Sequence, residues 1–198
     1  MEIPTTPVIF FKLPTAIIGP GEPIVLPKNS TQPDYEAEFA FVVGKGGYRI
    51  RASDWRKHVY GYTIVNDVSA RDVQFASTQW SMSKCFPTFC PLGPAIVTAD
   101  EIADPTALGM WLEVNGRRFQ DGSTATMVYK PAFLVSYVSR FMSLQPGDII
   151  ATGTPPGVGM GQKPPIYLKA GDVMELGIEG LGRQRQQVCA PIQRVLET

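Results

Sequence analysis

The chain has 198 residues, 44% of them hydrophobic, which is enough for one well-formed core and short for two, so residues 1–198 are expected to form a single domain. Eighteen Lys and Arg balance eighteen Asp and Glu, leaving no broad field for nucleic acid or an anionic membrane surface. The three cysteines stand in no metal-ligand spacing and read as small buried hydrophobes, and neither a run of about eighteen apolar residues nor a signal-peptide pattern is present, so a cytoplasmic protein is expected.

Nineteen glycines and eighteen prolines punctuate the apolar segments, which predicts many short strands and shaped loops. Pro7–Lys12 reads as a short buried strand, Gly19–Pro23 as a turn and Ile24–Pro27 as a second strand. After a polar turn comes Asp34-Tyr35-Glu36-Ala37-Glu38-Phe39-Ala40-Phe41-Val42-Val43, a strand with two carboxylates inside it. Side chains alternate along a strand, so Glu36 and Glu38 share one face and Ala37, Phe39, Phe41 and Val43 take the other. Like charges that close repel, and burying them alone is costly, so a cation belongs between them; hard divalent metals prefer such oxygens. The plainer alternative is an edge strand with both glutamates in water.

Arg51–His58 predicts a short surface helix capped by Ser53 or Asp54. Val59–Val65 has the β-branched and aromatic content of a strand and runs into Asn66-Asp67-Val68-Ser69-Ala70-Arg71-Asp72-Val73-Gln74, where Ser69 and Asp72 resemble a capping box. A helix should start there with Asp67 just outside it and with Arg71 and Gln74 on one face. Either these groups converge on a ligand, or Asp67 caps the helix and Arg71 pairs with a surface acid.

Lys84 enters an apolar, proline-rich loop, where a lysine either snorkels or functions. Ala95–Val97 predicts a strand, and Met110–Val114 and Arg118–Gln120 flank Asn115-Gly116, a strong hairpin signal. Residues 131–144 predict a helix with Leu134, Val138, Phe141 and Met142 as its core-facing stripe. Ile149–Thr152 predicts a strand delivering the loop Gly153–Gly159, whose amides and two threonine hydroxyls suit an anion, although the lysine of a nucleotide P-loop is missing. Val173–Ile178 and a last strand around Gln187-Val188 follow. His58, the only histidine, lies among basic residues, which argues against a Ser-His-Asp or Cys-His arrangement.

Taken together, these segments resemble the fumarylacetoacetate hydrolase family. The residues that carry the resemblance are Asp34–Glu38, Asn66–Gln74, Lys84 before Cys90-Pro91-Leu92-Gly93-Pro94, Val114-Asn115-Gly116 with Gln120, and Thr152–Gly159, in register along nearly the whole chain. The stretch Lys163-Pro164-Pro165 through Leu168–Asp172 further resembles the branch of acylpyruvate hydrolases and 2-hydroxyhepta-2,4-diene-1,7-dioate isomerases. The resemblance implies an α+β, mainly β fold, a mixed β-sandwich roll with a few flanking helices, commonly built into homodimers. It implies that Glu36, Glu38 and Asp67 hold magnesium, manganese or calcium, that Arg71, Gln74, Gly153 and Thr154 bind substrate, and that Lys84 is catalytic.

Three carboxylates on an octahedral metal leave positions for the carboxylate and 2-oxo oxygens of a pyruvoyl-type acid. The function so implied is a divalent-metal-dependent hydrolase cleaving a C–C bond in a 2,4-dioxo acid of the acylpyruvate or fumarylpyruvate type. Isomerisation or decarboxylation through the same enolate is the alternative, as is a catalytically poor metal-dependent oxo-acid binder. Members of the family usually carry, upstream of the segment resembling Pro7–Phe10, an Asn-Tyr-x-x-His-x-x-Glu stretch whose histidine and glutamate activate water. The chain starts after that position, so retained metal and oxalate binding with poor hydrolysis is expected.

Overall fold

In the computed structural model residues 4–191 are described. Their strands, in chain order, are β1 (Ile17–Ile18), β2 (Ile24–Val25), β3 (Pro33–Asp34), β4 (Ala37–Val43), β5 (Val59–Asn66), β6 (Ser69–Ala70), β7 (Cys90–Thr98), β8 (Gly109–Val114), β9 (Arg117–Ser123), β10 (Ile149–Ala151), β11 (Val173–Ile178) and β12 (Gly182–Cys189). Three short helices, α1 (Arg71–Gln74), α2 (Ser81–Lys84) and α3 (Pro131–Val138), flank them. Two five-stranded sheets result, ordered β1-β7-β5-β4-β10 and β2-β12-β11-β8-β9, with β3 and β6 as a separate ribbon. Each large sheet is antiparallel except where an early strand joins its edge in parallel, β1 on β7 and β2 on β12. This is the mainly β fold with few helices that the sequence implied.

The sheets share one apolar core. Phe39, Phe41, Tyr62 and Ile64 of the first sheet belong to the same buried cluster as Met110, Leu112, Met174, Leu176 and Val188 of the second. Each such side chain contributes about 1.5–3 kcal/mol of burial, which is what holds the sheets together. All seven residues of β4 are buried. As the alternation requires, Ala37, Phe39, Phe41 and Val43 enter this core, while Ala40 packs in a second cluster with Ala16, Val65 and Cys90. The edge-strand alternative therefore fails, because β5 pairs along one side of β4 and β10 along the other. β10 reaches only to Ala40, however, and the end of β4 that carries Glu38 is completed by a loop.

Several local expectations change in three dimensions. Pro7–Lys12 is irregular, not a strand. The residues 52–57 form a 3-10 helix whose N-cap is Arg51 with no capping side chain, not Ser53 or Asp54. The Ser69–Asp72 capping box does not form: Ala70 is the N-cap of α1, the Ser69 hydroxyl donates to Asp67 O (2.8 Å), and Asp72 accepts from Ser30 Oγ (2.6 Å) and Thr31 N (2.7 Å). The helix expected over 131–144 ends at Val138, because Ser139 is taken by Arg49 N and Ile50 N and Leu144 is drawn into a bridge with Gly47. Leu134 and Val138 are buried as expected, whereas Phe141 is 65% exposed. Asn115 and Gly116 do turn β8 into β9, both with positive φ (52° and 77°), the geometry for which that dipeptide is suited. Cys90 is buried and Cys85 and Cys189 are half-buried. Among the described residues no helix is long and apolar enough to cross a membrane.

Candidate metal centre

The site forms where the β4–β5 ladder ends. Its register sets Ala37 opposite Asn66 and Glu38 opposite Val65. One step beyond, Asp67 N donates to Glu36 O (2.8 Å) and Glu36 N donates to Asn66 Oδ1 (3.1 Å), so Glu36 and Asp67 meet across the ladder end. Glu38 lies on the face it shares with Glu36 by strand alternation. One carboxylate oxygen from each of Glu36, Glu38 and Asp67 lies within 4.8 Å of the others, and all three residues are buried.

Three cations crowd these acids. Lys84, 2% exposed, donates to Glu36 Oε2 (2.7 Å) and Asp67 Oδ2 (2.8 Å), which rules out snorkelling. Arg71 lies with its Nη2 2.7 Å from Glu36 Oε1, and it donates through Nε to Asp34 Oδ2 (2.9 Å) and through Nη1 to Gln74 Oε1 (2.9 Å). Arg71 and Gln74 thus share a helix face as expected, but Arg71 pairs with buried acids and not with a surface one. Lys12 Nζ is 2.7 Å from Asp67 Oδ1, an ion pair without hydrogen-bond alignment, and it donates to Lys84 O (2.5 Å) and Val68 O (3.3 Å). Phe10 completes this side, with its ring centroid 4.9 Å from Lys84 Nζ and 6.0 Å from the Trp80 ring.

The charges do not balance. Four buried carboxylates, Asp34, Glu36, Glu38 and Asp67, face three cations, Lys12, Arg71 and Lys84, and Glu38 has no cation in contact among the described residues. Among the described residues the only hydrogen bond to its carboxylate is from Gly153 N to Oε2 (2.9 Å). Burial, followed by the charges of Asp67 and Glu36, pushes the Glu38 carboxyl up to about 8. Burial also raises Glu36, against the pull of Lys84 and Arg71. At Asp67 burial works upward too, but Lys12 and Lys84 overcome it and hold that carboxyl below its usual value. Burial would lower the Lys84 ammonium, and Glu36, Asp67 and Glu38 reverse that and keep it protonated. A buried all-oxygen donor set that lacks positive charge fits a hard divalent cation. With that ion the cluster would carry one net positive charge, suited to an anionic acid.

The loop after β10 approaches from the far side of β4. Gly153 is exposed and turns with φ +92°. Both threonine hydroxyls expected to face an anion are turned inward: Thr152 Oγ1 donates to Phe39 O (2.7 Å) and Thr154 Oγ1 to Ala37 O (2.9 Å). His58 is remote in role as in sequence, its Nδ1 2.7 Å from Lys45 O. The structure therefore brings Glu36, Glu38, Asp67, Lys84, Arg71, Gln74 and Gly153 together, with Thr154 beside them. It adds Lys12 and Asp34, which sequence reasoning passed over. Asp34 was legible as part of the strand motif, whereas Lys12 carried no local signal, the carbonyls it donates to being 56 and 72 residues away.

The chain is similar to several known proteins. A 2,4-didehydro-3-deoxy-L-rhamnonate hydrolase of Sphingomonas sp. (strain SKA58) is 53% identical over 190 residues, covering 95% of this chain and 67% of that protein. The mitochondrial oxaloacetate tautomerase fahd2 of Xenopus laevis is 50% identical over 184 residues, covering 92% of this chain and 58% of that protein. The fumarylacetoacetate hydrolase from psychrophilic Exiguobacterium antarcticum superposes with a TM-score of 0.90 at 44% identity, covering 92% of this chain and 66% of that one. The chain thus spans roughly three fifths to two thirds of the length of these relatives. Residues 1–189 match the family model described as fumarylacetoacetate (FAA) hydrolase C-terminal, and with the carboxylate cage at the end of its first long strand pair the chain belongs to that family.

Proposed function

We propose that the protein is a divalent-metal-dependent enzyme acting on a small 2-oxo or 2,4-dioxo acid, with hydrolysis of a C–C bond in an acylpyruvate-type acid as the leading reaction. The observation that carries this reading is the buried trio Glu36, Glu38 and Asp67 within 4.8 Å, with Lys84 bridging two of its members. Magnesium, manganese or calcium held by the trio would supply electrophilic polarisation of a 2-oxo group and its neighbouring carboxylate. The chain's own residues do the rest. Lys84 carries a proton and a positive charge at the site, able to neutralise an enolate oxygen or return a proton to carbon. Arg71, fixed by Asp34 and Gln74, holds Glu36 in place and retains N–H groups for an acid. Phe10 and Trp80 exclude water from one side of the Lys84 amine, which strengthens its interactions.

Tautomerisation is the second reading, favoured by a specific observation. Proton shifts need no activated water, and the Lys84 ammonium, held between Glu36 and Asp67, is placed to return a proton to carbon. A relative named as an oxaloacetate tautomerase stands at nearly the same identity as one named as a hydrolase. The deciding experiment is a panel of acylpyruvates, oxaloacetate and a hydroxymuconate-type acid, each assayed with magnesium or manganese and after chelation. Turnover of acylpyruvate supports the leading reaction, and enol–keto interconversion alone supports the second. No metal-dependent change in any of these acids would sink the reading. We further infer a homodimer, as in the family at large, which sedimentation of the purified chain checks.

A further inference from the structure

Gln120 is fully buried on β9, in the sheet that carries none of the cage carboxylates, yet its side chain reaches the other sheet. Its Oε1 accepts from Ala37 N (2.9 Å), and its Nε2 donates to Thr154 Oγ1 (2.7 Å) and to Pro155 O (2.8 Å). The amide is thus spent on one residue of β4 and two of the loop after β10. The location gives this meaning. β10 leaves β4 at Ala40, so Ala37 and Glu38 lack a strand partner on that side, and a buried backbone group without a partner is costly. Thr152 N bonds to Phe39 O (3.1 Å), the chain turns at Gly153, Gly153 N bonds to Glu38 Oε2, and Thr154 Oγ1 returns to Ala37 O. Gln120 closes that circuit.

A threonine hydroxyl has one hydrogen, and that of Thr154 goes to Ala37 O while its oxygen accepts from Gln120. It has no hydrogen left for a carboxylate ligand. The Thr154 main-chain N–H, by contrast, makes no hydrogen bond among the described residues. Close packing supports the same arrangement: a β-carbon at Gly157 would meet Phe119 O at 1.9 Å, and one at Gly122 would meet Pro155 Cβ at 2.7 Å, so the loop lies flat on β9.

We propose that Gln120 is a positioning residue, which locks Thr154 so that its main-chain N–H, not its hydroxyl, serves an oxo acid's carboxylate while Gly153 N–H stays on Glu38. The proposal rests on the oxo-acid reading of the site for its ligand, but not for the clamp itself. The test compares the wild type with Thr154→Ser, Thr154→Val, Gln120→Glu and the Thr154→Val/Gln120→Glu double variant. The readouts are oxalate affinity with manganese by calorimetry and amide hydrogen exchange at Gly153. Thr154→Ser keeps the circuit and should match the wild type. Thr154→Val and Gln120→Glu should each weaken oxalate about tenfold or more and speed Gly153 exchange, and the double variant should be no worse than the poorer single.

Oxalate weakened by Thr154→Val but untouched by Gln120→Glu would make the hydroxyl itself the ligand and overturn the proposal. Unchanged Gly153 exchange in both single variants would overturn it as well. Should Gln120→Glu fail to fold, Gly153 exchange in Thr154→Val, which leaves the Gln120 bonds to Ala37 N and Pro155 O in place, decides in the same two directions. If the wild type binds no oxalate while Gly153 exchange responds to both substitutions, the functional reading falls and the clamp stands.

Discussion

Asp34 and Glu38 lie four residues apart on one stretch of chain, both buried, at 0% and 4% exposure. Around Asp34 the protein supplies everything: Tyr35 N (2.8 Å) and Gly159 N (2.7 Å) donate to Oδ1, and Arg71 Nε (2.9 Å) and Met160 N (2.9 Å) donate to Oδ2. Around Glu38 it supplies one amide, Gly153 N, and two further carboxylates. Burial cost is therefore offset locally in the first case and left open in the second. A carboxylate that the fold itself neutralises is scaffold, and one that the fold leaves short of charge could hold a cation.

The contrast can be broken by substitution, the largest effect coming first. Asp34→Ala strips partners from Arg71 and from the Gly159 and Met160 amides, and breaking a buried ion pair of this kind should cost about 3–5 kcal/mol in urea denaturation of the metal-free protein. A loss under about 1 kcal/mol would mean that Asp34 is not scaffold. At Glu38 the sign should differ. Glu38→Gln removes a carboxyl whose ionised form burial disfavours, so metal-free stability should be equal or higher above the ordinary carboxylate range of pH.

Metal response comes next. Magnesium or manganese at a hundredfold excess over its dissociation constant should stabilise the wild type by about 2.7 kcal/mol, and thermal melts of Asp67→Ala and Glu38→Gln should lose that gain. A variant at Asp67 that still responds in full would remove the site from consideration. Oxalate sharpens the same point, because it should bind only with metal present. Lys84→Ala should weaken it by about 1.5–3 kcal/mol, and calorimetry giving equal affinity with and without metal would contradict the cage. The smallest effect belongs to Asp72, which faces away and fastens Ser30 and Thr31. Asp72→Ala should cost about 1 kcal/mol in denaturant and leave the metal response as it was.

Much of the cage was readable before folding, and for particular reasons. Glu36 and Glu38 were placed on one face by strand alternation, which holds wherever a strand forms. Asn115-Gly116 announced its hairpin because both residues tolerate positive φ. Ser69 and Asp72 misled for the opposite reason. Their spacing suits a cap, but Ser30 and Thr31, about forty residues earlier, take the Asp72 carboxylate in place of the Ser69 amide. The end of α3 was hidden likewise, since Arg49 and Gly47, distant in sequence, claim the backbone that would have continued it.

The sequence alone determined which residues of the carboxylate strand face together, where the Asn115-Gly116 turn falls, that acidic and basic residues balance, and which family the motifs resemble. These follow from period, residue chemistry and counts, all local quantities. Only the tertiary structure decided how the charges are apportioned. Lys12 reaches Asp67 from an irregular entry segment, Gln120 reaches Ala37 and Thr154 from the opposite sheet, and β10 stops short at Ala40 so that a loop must finish β4. Each of these depends on which distant segment reaches a buried polar group, and that is settled by the packing of the two sheets around their shared core, not by the neighbours of any residue in the chain.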